Sequence, residues 1–79
     1  MINYKPGKSY ILNRAIKVRT SPSLLSPQKY YKDLMKQDQA NAFDQLFAVL
    51  KPNTKVIAMK IIRVNNQVWI KIPSGYICA

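Results

Sequence analysis

The sequence contains no histidine and no glutamate, and it has one cysteine, two glycines and three aspartates in 79 residues. Each shortage removes a class of chemistry. A lone cysteine, Cys78, cannot close an internal disulfide, and with no histidine beside it a structural zinc site fails on ligand count. General acid and base catalysis needs positioned titratable groups. Asp33, Asp38 and Asp44 all fall in one polar stretch where no other chemistry converges, so they read as solvated side chains. Cys78 has no histidine to activate it and reads as a small buried hydrophobe at an inward or edge position of the last strand. Gly7 and Gly75 are too few and too far apart for a phosphate-cradling loop. The chain is therefore expected not to be an enzyme, with no cofactor and no metal.

Also missing is any apolar run long enough to span a bilayer, and Met1 is not followed by a basic and then apolar secretory pattern. The expectation is a soluble module without its own export signal and without a membrane partner. At this length a single core gives only marginal stability unless it is well packed or supplemented by association.

What the sequence has in excess is positive charge: thirteen lysines and arginines give a formal +10 on 79 residues. Such an excess favours an anionic partner, because long-range attraction raises encounter rates and non-specific affinity. The basic residues are scattered rather than blocked, which equally suits outward positions on strands, where lysine also blunts sheet edges.

Along the chain, residues 1–8 lack a period and contain Pro6-Gly7, so they read as a linker or loose lead-in. Tyr10 to Leu12 and Ala15 to Arg19 read as extended, with Ile16 and Val18 on one face and Lys17 and Arg19 on the other. Ser26-Pro27 fits a helix start, and Tyr31, Leu34 and Met35 at i, i+3 and i+4 predict a short amphipathic helix over about 27–37. Residues 42–50 suit either a helix or a strand: Phe43, Leu46, Phe47 and Leu50 could continue a helical face, while Leu46 to Leu50 followed by Lys51-Pro52-Asn53-Thr54 also reads as a strand entering a turn. After Pro52-Asn53 comes a β-branched run from Lys55 to Val64. Asn65-Asn66 is a two-residue hairpin signal, because asparagine tolerates the left-handed backbone of a type I′ turn. Val68, Ile70 and Ile72 alternate towards a core, leaving Trp69 and Lys71 outward, before Pro73-Ser74-Gly75 turns the chain into Tyr76-Ile77. About five short strands with one helical excursion, in a chain too short for a sandwich, predict a mainly β fold: a small bent barrel with a helical insertion.

Three blocks carry a family resemblance. Ile16-Lys17-Val18-Arg19-Thr20-Ser21-Pro22-Ser23 resembles the "NVRSGPS" strand and turn of the bacterial SH3 (SH3b) family. Val49 to Val56 resembles its "LKKGTKV", and Trp69 to Ala79 its "WxKIPSGWVCA" ending. Lys17 stands where the family usually has asparagine, Asn53 replaces the turn glycine, and Tyr76 replaces tryptophan. The insertion and the "KIPSG" ending are most similar to C-terminal modules of endolysins from phages of Gram-positive bacteria. The resemblance covers residues 9–79 apart from the insertion. It implies an SH3-like barrel that binds bacterial cell wall, through peptidoglycan peptide or an anionic wall polymer, and so targets a linked endolysin catalytic domain. It also implies a protein made in the cytoplasm of the infected host and acting at the wall.

For such binding, aromatic rings are natural tools. Trp69 and Tyr76 are expected outward on neighbouring strands, Tyr30 and Tyr31 on the helix, and Tyr10 on the first strand. Asn13, Lys17, Arg19 and Lys71 are expected as polar neighbours. A separately translated copy of the module, associating with itself through Tyr30, Leu34 and Met35, is a further expectation, since avidity would rise without new contacts. The competing reading is a basic nucleic-acid-binding barrel. The aromatics do not alternate with the basic residues, which disfavours it.

Overall fold

β-branched and apolar runs separated by turn residues give seven short strands in the computed structural model, which describes residues 4–79. They are β1 (Ser9–Ile11), β2 (Ile16–Lys17), β3 (Val49–Leu50), β4 (Lys55–Ile57), β5 (Lys60–Val64), β6 (Gln67–Ile72) and β7 (Gly75–Cys78). Between β2 and β3 lies an insertion with a 3-10 turn (Tyr31–Asp33) and one helical turn, α1 (Lys36–Gln39). All pairings are antiparallel: β1 with β4, β2 with β3, and β5, β6 and β7 in that order. The mainly β fold class is as expected. The strands wrap one core without closing into a continuous hydrogen-bonded barrel.

Local chemistry sets the turns. Asn65 and Asn66 take φ of 49° and 62° and join β5 to β6, as the hairpin reading requires. Asn53 takes φ 69° in the turn before β4, doing the work of a glycine. Ile70, Ile72 and Ile77 enter the core with Leu12, Val18, Leu50 and Val56. Val68 is only half-buried and lies outside that cluster. The radius of gyration is 11.5 Å, against roughly 11.6 Å expected for a compact chain of this length.

Several expectations are corrected. The helix over 27–37 does not form, because strand neighbours claim its first backbone groups. Lys29 donates its N–H to Val18 O (2.8 Å), Ala48 donates to Lys29 O (3.1 Å), and Tyr31 donates to Leu46 O (3.0 Å). Ser26 is no N-cap; its single hydroxyl proton is shared between the Ser21 and Ser23 carbonyls, with Ser23 the nearer. Leu34 and Met35 are extended, which divides the remaining helical character into two single turns. The ambiguous stretch 42–50 is not helical: Ala42 bridges Leu50 and Phe47 bridges Tyr30.

The lead-in is not loose over its described part. Tyr4 packs on the core, and Gly7 donates its N–H to Ala58 O (2.7 Å); Met1 to Asn3 lie outside the described residues. Among the described residues no helix is long and apolar enough to cross a membrane.

Candidate functional site

The insertion is anchored to the closing turn by Ser74. This residue is 1% exposed; its Oγ accepts the Met35 N–H (2.9 Å), and its hydroxyl donates to the Asp38 carboxylate. Asp38 is therefore buried and structural, correcting its solvated reading, because the tight β6–β7 turn brings a hydroxyl to it. Leu34 is likewise buried in the core, so of the expected self-association surface only Tyr30 and Met35 are presented outward.

With the insertion fixed, Tyr30 and Phe47 face each other across an antiparallel bridge, ring centroids 5.9 Å apart and planes 25° apart. Asp33 holds Tyr30 by accepting its N–H (3.1 Å). Asp44 shapes the other side, its Oδ1 accepting the N–H groups of Leu46 (2.8 Å) and Phe47 (2.9 Å). These two bonds, that from Phe47 foremost, hold the Asp44 pKa below its ordinary value. Beside the pair lies a shallow, open cleft of about 410 Å³ lined by Lys17, Gln28, Phe43, Asp44, Phe47 and Val49. On the far side of the stacked pair, Tyr30, Lys32, Gln45 and Leu46 line a second hollow. Phe43 is 54% exposed, Tyr30 49% and Phe47 41%. Flat apolar faces beside an ammonium, a carboxamide and an ionised carboxylate can stack on a sugar ring or pack on a peptide while fixing its polar groups.

Of the residues expected at a site, Lys17 lines this cleft and Tyr30 stacks on its Phe47, while Tyr10, Asn13, Arg19, Tyr31, Trp69, Lys71 and Tyr76 do not line it. Trp69 is 1% exposed, which overturns its outward reading. It sits on the central strand of the three-stranded sheet, in register with Ile62 on one side and Cys78 on the other, and its indole N–H donates to Gln67 Oε1 (3.3 Å). It is buried although it lies outside the main core cluster.

Tyr76 is half-buried; its backbone pairs with Arg19 (2.8 and 3.0 Å), and the Lys71 ammonium lies 5.4 Å from its ring centroid while donating to Ile72 O (2.8 Å). Tyr10 packs on the core and edge-on against Tyr4, its hydroxyl accepting the Lys5 N–H (2.6 Å). Tyr31 packs on the core. Asn13 is exposed and borders a separate hollow with Tyr4 and Tyr10. Cys78 is half-buried, alternating with the core residue Ile77 along β7.

Phe43, Phe47, Gln28 and Asp44 were not legible as site residues. Phe43 and Phe47 stand at helical spacing, whereas the stretch is not helical, Asp44 accepts the Leu46 and Phe47 N–H groups, and both rings are exposed. Among the described residues no three His, Cys, Asp or Glu side chains gather where a metal could be held. No protein-family model matches the chain, and neither a curated protein nor a solved structure shows detectable similarity to it.

Proposed function

We propose that this chain is a non-catalytic module that binds the wall of Gram-positive bacteria and targets a phage endolysin catalytic domain to it. The observation that carries the reading is the exposed Tyr30–Phe47 stack bordering the cleft of Lys17, Gln28, Phe43 and Asp44. Large aromatic faces left outside a small core favour a ligand that covers them. The resemblance of the three sequence blocks to the SH3b family supports wall as that ligand, and the +10 charge suits a matrix rich in anionic polymer.

Co-sedimentation with purified Gram-positive walls tests it, using the native chain and Phe47→Ala at low and high salt. The native chain pellets with walls and keeps part of its binding at high salt; Phe47→Ala loses that salt-resistant part. A chain that pellets with no wall and instead shifts single-stranded DNA, with affinity falling steeply as salt is added, belongs to the competing nucleic-acid reading. Self-association through Tyr30 and Met35 would add avidity. Light scattering at moderate salt that finds only monomer removes that part of the proposal.

A further inference from the structure

On the other side of Lys17 from the aromatic cleft lies a pocket of about 220 Å³ whose charged lining is entirely basic: Arg14, Lys17 and Arg19, with Leu24 and the edge of Cys78. Both guanidinium groups are held by carbonyls rather than by carboxylates. Arg14 Nη2 donates to Cys78 O (3.3 Å), and Arg19 Nη1 donates to Ser26 O (2.9 Å). A guanidinium has five N–H donors, so each keeps several for a ligand while its orientation is already set.

The acidic side chains are all engaged elsewhere. Asp33 accepts the Tyr30 N–H, Asp38 is buried on Ser74, and Asp44 accepts the Leu46 and Phe47 N–H groups. No carboxylate lines the pocket. Two arginines with oriented guanidiniums and a lysine line one open pocket, a set that suits phosphate oxygens, which guanidinium binds bidentately.

We infer that the Arg14–Lys17–Arg19 pocket binds the phosphodiester of an anionic wall polymer, while the adjoining cleft takes the wall peptide or sugar. The inference rests on the wall-binding reading. Nucleic acid offers the same phosphate chemistry but is the poorer fit. Single-strand binders set aromatic platforms along the basic groove itself, whereas the exposed rings Phe43, Phe47 and Tyr30 line the neighbouring cleft and hollow and, among the described residues, no aromatic lines the basic pocket. Lys17 lines both the pocket and the cleft, so two components of one matrix are engaged together.

The test is sedimentation of the full chain with intact walls and with the same walls stripped of phosphate polymer. It is run on the native protein, on Arg14→Gln, on Lys17→Gln and on the exposed control Lys51→Gln. Stripping is expected to cost about tenfold in affinity at low salt, and each pocket variant to weaken binding to intact walls several-fold and flatten the salt slope by about one. Lys51→Gln is expected to cost less than either pocket variant, and Arg14→Gln to cost nothing on stripped walls.

Equal binding to stripped and intact walls overturns the phosphate pocket and leaves the wall-binding function standing. A Lys51→Gln loss equal to that of Arg14→Gln also overturns the pocket, by showing diffuse charge attraction. Failure to bind either wall overturns the function itself. Single-stranded DNA bound more tightly than intact walls, in an Arg14-dependent manner, overturns the assigned occupant.

Discussion

Tyr30 and Phe47 lie seventeen positions apart in the sequence and stack on one another at the surface, with centroids 5.9 Å apart. Neither is in the main core cluster. Such a pair is worth about 0.5–1.5 kcal/mol beyond its area burial, too little to explain leaving Phe43 and Leu46 exposed beside it. On the wall-binding proposal, a ligand that covers the ridge would supply the missing burial.

Trp69 is a stability residue. Trp69→Ala removes a fully buried indole and is expected to cost about 3–5 kcal/mol, much of the roughly 4–12 kcal/mol available to a chain of this size. Trp69→Phe retains part of the packing and is expected to bind walls as well as the native chain once corrected for the folded fraction. Chemical denaturation and sedimentation of the same samples separate the two effects.

The Ser74–Asp38 pair holds the insertion against the β6–β7 turn. Ser74→Ala leaves a buried carboxylate and the Met35 N–H without their partner, a loss of about 1–3 kcal/mol. The denaturant midpoint is expected to fall at unchanged slope. Ser74→Ala combined with Asp38→Asn should lose less than the sum of the single variants, because the two residues share one interaction.

Gly75 has φ +151°, and a Cβ there would lie 2.8 Å from both Arg19 O and Val18 Cγ1. Backbone strain of about 1–3 kcal/mol then adds to overpacking of about 1–3 kcal/mol. Gly75→Ala is expected to be among the most destabilising single substitutions in the chain, readable as a lowered Tm.

The Asp44 turn predicts a pH window. Its folded pKa lies below the ordinary 3.8 because two N–H groups bond the carboxylate. The support it gives to residues 44–47 is therefore complete above pH 3.8 and is lost as pH falls through the lower folded value. In an NMR titration the Leu46 and Phe47 amides should hold their shifts from pH 7 to 5 and move together only in stronger acid. Asp44→Asn should abolish that movement.

Local signals carried well where one residue decides the geometry. Asn53, Asn65 and Asn66 are the three non-glycine residues with positive φ among the described residues, and each falls in a turn the sequence marks. The alternation of Ile70 and Ile72 gave the core face of β6. It misplaced Trp69 because period two assigns a residue to a face without saying whether that face is covered, and a central strand can be covered on both. The helix at 27–37 had the right spacing and cap, but hydrogen bonds to Val18 and from Ala48, far away in sequence, outcompeted it. The aromatic cleft was hidden for the same reason: Phe43 and Phe47 satisfy an apolar helical face, but Phe43 donates its N–H to Val49 O and Phe47 bridges Tyr30, and both rings are exposed.

Wall co-sedimentation of the native chain beside Phe47→Ala, with the folded state of both verified, tests the central claim most directly. The account predicts that the native chain pellets with Gram-positive walls, and that Phe47→Ala, still folded, binds at least about tenfold more weakly, the scale set by losing a well-buried aromatic contact. Equal pelleting of the two folded proteins, or no pelleting of the native chain with any such wall, would contradict it.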